Sequence, residues 1–168
     1  DVTNNGSLFI GSNGGFSNFS NKTFTNTSTG VVKFLANYGV YFYMQTINNG
    51  LLELLDATVY FNGDLENHAS ITVPGGSTLS LGGLSSFNPG TSLNANGQLV
   101  VTHSLALQVA VVFSGEKFTL AGDLSGSGGL TINSLMNWEN GSIETDLHIS
   151  TDAILNIGYD GGGGGSKQ

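Results

Sequence analysis

Asn62-Gly63-Asp64-Leu65, then Ile71-Thr72-Val73, then Thr78-Leu79-Ser80-Leu81 is the stretch that decides the fold. It reads as a turn and three short apolar strands. It returns as Asn140-Gly141-Ser142-Ile143, Leu147-His148-Ile149 and Ile154-Leu155-Asn156-Ile157. Gly122-Asp123-Leu124 followed by Leu130-Thr131-Ile132 fits the same frame. Within each copy, apolar residues recur at every second position, the mark of a strand with one buried face. Asn49-Gly50-Leu51-Leu52 and Asn96-Gly97-Gln98-Leu99 repeat the Asn-Gly-x-apolar opening, and Ala121-Gly122-Asp123-Leu124 is a degenerate copy. An irregular repeat of roughly 17–25 residues is the size of one solenoid coil with three strands and three turns. The expected fold is therefore all-β, a parallel β-helix (β-solenoid) with irregular coils. The competing architecture is an antiparallel β-sandwich or jelly roll, because Asn-Gly is also a strong hairpin signal.

Composition agrees with stacked strands and corners. Only 10% of the residues are charged, against about 25% in an ordinary soluble domain. Asn, Ser, Thr and Gly must therefore cover the surface, and they are poor helix formers. The 26 Gly suit a fold made of corners, where left-handed backbone is expected of Gly and Asn. The two Pro, Pro74 and Pro89, both precede Gly in turn contexts. No Arg and four Lys stand against twelve acids, for a net charge of −8. Nucleic acid is excluded as a partner, since phosphate neutralisation needs clustered cations. Membrane insertion is not expected, because no run of about 18 apolar residues occurs. There is no Cys, which removes disulfides and thiolate chemistry without deciding the compartment. The chain opens on Asp1, so a processed form or a fragment is expected.

Three segments are expected: capping or assembly coils over 1–61, regular coils over 62–160, and a flexible Gly-rich tail over 161–168. Phe9, Phe16, Phe19 and Phe24 punctuate the polar first thirty residues as isolated core anchors. Residues 31–61 are the most apolar, and strands apolar on both faces are covered on both sides or form an interface.

The run Gly122-Asp123-Leu124-Ser125-Gly126-Ser127-Gly128-Gly129-Leu130-Thr131-Ile132, then Met136-Asn137-Trp138-Glu139-Asn140-Gly141-Ser142-Ile143, resembles the repeats of secreted bacterial β-helix proteins. These include filamentous haemagglutinin-like adhesins and autotransporter passenger domains. The resemblance covers about residues 62–158 and is weaker over 1–61. It implies a right-handed parallel β-helix at the cell surface or outside the cell, used for display, adhesion or surface building. It carries over no catalytic residue, and no enzymatic activity is expected.

Several side-chain sets could carry chemistry. Asp64 and Glu66, and likewise Glu144 and Asp146, are spaced by two and share a strand face. Facing acids could hydrolyse a glycoside, and clustered acids could hold Ca²⁺, the one cofactor with any support. The ordinary reading is solvated outward acids. A pectin-type enzyme is disfavoured by the lack of Arg, and the calcium-binding Gly-Gly-x-Gly-x-Asp repeat is missing. His68, His103 and His148 could stack in a column and bind metal, but no further ligands accompany them. Thr23, Thr25, Thr27 and Thr29 alternate, as on ice-binding solenoids, although the row does not repeat. Tyr38, Tyr41, Tyr43 and Tyr60 with Phe42 and Phe61 form the densest aromatic region. Exposed members would contact a glycan or a partner protein, including another copy of the chain. Sequons occur at Asn5, Asn18, Asn21, Asn26 and Asn140, as composition alone generates them.

Overall fold

A computed structural model describes residues 1–11, 15–16 (backbone only), 21–35 and 39–158. These residues build a parallel β-solenoid of about seven turns, with no helix among them. The first turn holds β1 (Val2–Asn4), β2 (Ser7–Gly11) and β3 (Gly15–Phe16), and the second β4 (Thr23–Asn26), β5 (Val31–Leu35) and β6 (Gly39–Phe42). Then come β7 (Gln45–Asn48), β8 (Leu51–Leu55) and β9 (Thr58–Phe61), followed by β10 (Leu65–Asn67), β11 (Ser70–Val73) and β12 (Thr78–Leu81). Next are β13 (Leu84–Phe87), β14 (Ser92–Ala95) and β15 (Gln98–Val101), then β16 (Ser104–Leu107), β17 (Val111–Phe113) and β18 (Lys117–Leu120). The last turns are β19 (Asp123–Ile132) with β20 (Leu135–Trp138), and β21 (Ile143–Ile149) with β22 (Ile154–Ile157).

Like strands stack on like. The first face runs β1-β4-β7-β10-β13-β16-β19, the second β2-β5-β8-β11-β14, and the third β3-β6-β9-β12-β15-β18-β20-β22. Every pair among the described residues is parallel, so the antiparallel sandwich or jelly roll does not form. On the first face Val2, Phe24, Thr46, Leu65, Ser85, Leu105, Leu124 and Ile143 follow one another in register, at steps of 22, 22, 19, 20, 20, 19 and 19 residues. The copies that open the sequence argument occupy equivalent places: β10, β11 and β12 match the start of β21, its end, and β22. Strands before residue 62 pair into the same three sheets.

Alternation drives this arrangement. In β5 Val32 and Phe34 point inward, and in β6 Val40 and Phe42 do. Phe24, Phe34, Phe42 and Phe61 interlock, with centroids 5.0–6.4 Å apart. This edge-rich packing adds to area burial. In the later turns the core mixes aliphatic residues such as Leu99, Leu105, Leu124 and Ile132 with the buried Phe87, Phe113 and Phe118. Residues 31–61 are indeed apolar on both faces: Leu52 and Leu54 of β8 lie in the core while Leu51 and Leu55 are half-buried outside.

The Asn-Gly motif marks corners, but not one corner. Asn49-Gly50 joins the first face to the second, Asn96-Gly97 the second to the third, and Asn62-Gly63 and Asn140-Gly141 the third to the first. The expected reason for glycine, left-handed backbone, holds for Gly141 (φ 82°) and not for Gly50, Gly63, Gly97 or Gly122. What these share is close approach to the turn beneath. A Cβ would lie 2.2 Å from the Gly30 carbonyl oxygen at Gly50 and 2.4 Å from that of Met44 at Gly63. Gly97, Gly122 and Gly141 meet the preceding turn at 2.3, 2.1 and 2.0 Å. No side chain fits at such distances.

The corner between first and second faces carries a polar column inside the core. Asn26, Asn48 and Asn67 are fully buried. Asn4 Nδ2 donates to Asn26 Oδ1 (2.8 Å), Asn26 Nδ2 to Asn48 Oδ1 (2.8 Å), and Asn48 Nδ2 to Asn67 Oδ1 (2.6 Å). Asn67 then donates to the Thr91 hydroxyl at 3.0 Å. Each amide satisfies the next, which is what allows polar groups inside an apolar stack.

Candidate functional site

The outward aromatic column stands on the third face. Val40 and Phe42 pull one side of β6 into the core, so Tyr41 faces out, and the register sets it beside Tyr60 of β9. Their rings stack with centroids 4.6 Å apart and planes within 6°. Tyr43, just past β6, lies 6.4 Å from Tyr41 at 19°. Tyr41 and Tyr43 are 40% and 43% exposed, so the platform faces solvent. Gly39 makes room for it: a Cβ there would sit 3.0 Å from the Tyr60 ring. The column ends at Ser80, which follows Tyr60 in register. Tyr38 lies outside the described residues.

Beside Tyr43, at the corner joining the third face to the first, runs a groove of about 500 Å³. Three successive turns line it with Asn21, Lys22 and Thr23, then Tyr43 and Gln45, then Gly63 and Asp64. Asp64 has a structural duty here. Its Oδ1 accepts the Leu84 N–H of the next turn at 2.9 Å. Asp1 does the same for Thr23 N–H (3.0 Å) and Asp123 for Ser142 N–H (2.8 Å). A corner Asp thus satisfies the first amide of the following strand. Ser142 also donates its hydroxyl to Asp123 at 2.9 Å. These two hydrogen bonds, backbone first, hold the Asp123 carboxyl below its ordinary range, with a smaller pull from His103.

The two acid pairs picked out from the sequence are not brought together with each other. Glu66 lies on the outer side of β10 and bonds His68 Nε2 at 2.7 Å. Glu144 occupies the same column on β21, reached through Ser86, Ala106 and Ser125. Four strand steps put about 19 Å between these two positions. That is too far for a glycosidase pair, whose carboxyls stand within roughly 10 Å. Glu144 and Asp146 line a separate groove of about 410 Å³ with Gly126, Ser127 and Gly128.

The histidines likewise fail to form a column. His68 follows β10, His103 precedes β16 at a different corner, and His148 lies on β21. Among the described residues no three His, Asp or Glu gather as a metal set. Thr23 and Thr25 face outward on β4, but Thr27 and Thr29 turn into the corner and bond the Asn4 and Asn5 carbonyls at 3.1 Å. The Thr row therefore breaks after two residues. The sequon at Asn26 is sealed in the core, while Asn5, Asn21 and Asn140 are exposed. Asn18 lies outside the described residues.

Sequence reasoning missed the groove residues Asn21, Lys22 and Gln45. Their signal was available only through a coil length of 19–22 residues, which brings positions 22, 45 and 64 to one corner. Compared with protein-family models, curated proteins and solved structures, the chain finds no match among any of them.

Proposed function

We propose that this chain is a non-enzymatic extracellular or cell-surface scaffold, structural or adhesive, as in the secreted β-helix proteins whose repeats it resembles. The observation that supports this reading is the outward tyrosine platform fixed on a continuous parallel stack. The ladders make a stiff rod, and the rings offer a contact surface that needs no further ordering.

Self-association belongs to the same reading. The edges of β21 and β22 have no strand on their far side among the described residues. Ile143, Leu147, Ile149 and Leu155 are only partly buried there, and Ile157 is 69% exposed. Such an edge accepts a further parallel strand, from this chain's continuation or from another copy.

Light scattering on a sizing column, with negative-stain imaging over a concentration series, tests the reading alongside a reducing-sugar assay on polysaccharides. End-to-end stacks or binding to a glycan-coated surface, without sugar release, are the expected result. Sugar release, or a monomer that binds no surface, would overturn it.

A further inference from the structure

We propose that the groove at the third-to-first corner binds a neutral oligosaccharide of pyranose units, with the Tyr43 ring as its stacking platform. This rests on the adhesive branch of the reading above and names its ligand class. A pyranose presents an apolar C–H face and a rim of hydroxyls. Recognition therefore needs one exposed, immobile aromatic ring beside fixed planar polar groups. Tyr43 supplies the ring at 43% exposure, and its near-parallel partner Tyr41, itself stacked on Tyr60, backs it. Little side-chain entropy remains to be lost on binding.

The polar groups stand in step along the rod. Thr23 and Gln45 are register partners, and Asp64 directly precedes the Leu65–Thr46 pair, so the three come from consecutive turns spaced about 4.8 Å apart. The Thr23 hydroxyl donates to Gln45 Oε1 at 3.5 Å, which leaves the Gln45 NH₂ as a donor for ligand. Asp64 is oriented through its Oδ1 bond to Leu84 N–H, so its second oxygen serves as a fixed acceptor. Charge selects the ligand further. Lys22 and Asp64 give the lining one charge of each sign, on a chain of net charge −8, which disfavours an acidic polymer. Gly63 closes against the Met44 carbonyl and contributes only backbone, so among the described residues the lining offers no aliphatic pocket for a peptide side chain. Among the described residues, neither the Glu144–Asp146 groove nor the one lined by Gly30, Gly50 and Ala69 contains an aromatic ring.

The test is a titration of the folded chain, followed by amide NMR, with short neutral oligosaccharides of glucose, N-acetylglucosamine, xylose and mannose at millimolar concentration. At least one series is expected to shift amides at Thr23, Gln45 and Gly63. Tyr43→Ala should weaken that binding about tenfold. Tyr43→Phe should preserve it, and Asp64→Asn should weaken it while still accepting from Leu84. Glu144→Gln, in the distant groove, should change nothing. Shifts elsewhere, or binding unaffected by Tyr43→Ala, would overturn the groove assignment and leave the adhesive reading standing. If none of the four series shifts any amide, the assignment also fails, and a parallel surface-binding assay then decides whether adhesion fails with it.

Discussion

The same corner of this solenoid is built in two ways, and the contrast explains what holds the rod together. In the early turns the chain passes from first to second face over a buried amide column, Asn4, Asn26, Asn48 and Asn67. In the late turns, among the described residues, no buried amide column continues, and glycine makes the corner. Strand β19 runs unbroken from Asp123 to Ile132 across both faces, and its partner β21 slips register between Ser125 and Gly129. Gly126, at φ 113°, makes the bend against the Leu107 carbonyl. Phenylalanine, by contrast, is common to both: Phe24, Phe34, Phe42 and Phe61 lie in the early core, and Phe87, Phe113 and Phe118 in the later one. An amide column is specific, because each Asn must meet the next at one height. A glycine bend is permissive in hydrogen bonding and strict in space. Register at the early corner is therefore read by a buried side-chain column, and at the late corner by a glycine bend with surface bonds such as Ser127 to Gln108.

The largest expected effect comes from breaking the column in its middle. Asn48 Oδ1 accepts from Asn26 Nδ2 and from Gly50 N–H (3.3 Å), while its Nδ2 donates to Asn67. Asn48→Leu strands the Gly50 N–H and the Asn67 side-chain Oδ1 in a dry interior. At about 1–3 kcal/mol for each unmet buried group, a loss of roughly 3–5 kcal/mol is expected in urea unfolding. A loss below about 1 kcal/mol would mean that the column is ornament and apolar packing alone sets the register. Because a solenoid's stability is a sum over neighbouring turns, the first unfolding step should move more than the last.

The bend should respond to volume and not to polarity. Gly126→Ala places a Cβ 2.1 Å from the Leu107 carbonyl oxygen at a positive φ. Strain and overpacking of this kind cost about 2–3 kcal/mol. Gly129→Ala, three residues along the same strand, finds its nearest neighbour at 3.4 Å with no positive φ. It should stay within about 0.5 kcal/mol of the parent. Thermal melts of the two variants sharpen the comparison. Equal losses would show that the bend tolerates side chains or that the whole strand is intolerant.

How much of this could be read from the sequence follows from the same contrast. The alternation of β10–β12 and of β21–β22 made the solenoid legible, because inward Leu and Ile announce themselves at every second position. The inward asparagines did not. Asn26, Asn48 and Asn67 sit at core positions of their strands, yet Asn reads as a turn or surface residue until a partner one coil away is known. Their recurrence from Asn4 onward at steps of 22, 22 and 19 residues was the available signal. The acids were legible only in pairs for a related reason. A spacing of two gave Asp64 and Glu66 a common face correctly, but which turns lie side by side depends on the coil count. That count separates Glu66 from Glu144 by four strands. The tyrosines were legible as an aromatic cluster, whereas their outward stacking depended on the Tyr41–Tyr60 register.

The smallest expected effect separates the two ways of satisfying a corner amide, by another turn's backbone or by a carboxylate. Asp123 receives the Ser142 amide and hydroxyl, and these bonds favour its charged form. Its folded pKa therefore lies below its unfolded value of about 3.9. The sign follows directly: the contribution is fully present above that unfolded value and is lost as pH falls through the folded one. Asp123→Asn keeps an oxygen to accept from Ser142 but removes the charge. The parent should melt above the variant at neutral pH, and the gap should close as the solution is taken below about pH 4. The carboxylate is exposed, so the gap itself should be small. A gap that stays constant down to acid would mean that the corner Asp acts through hydrogen-bond geometry alone. In that case Asp1 and Asp64, which cap Thr23 and Leu84 in the same way, should also accept Asn at every pH.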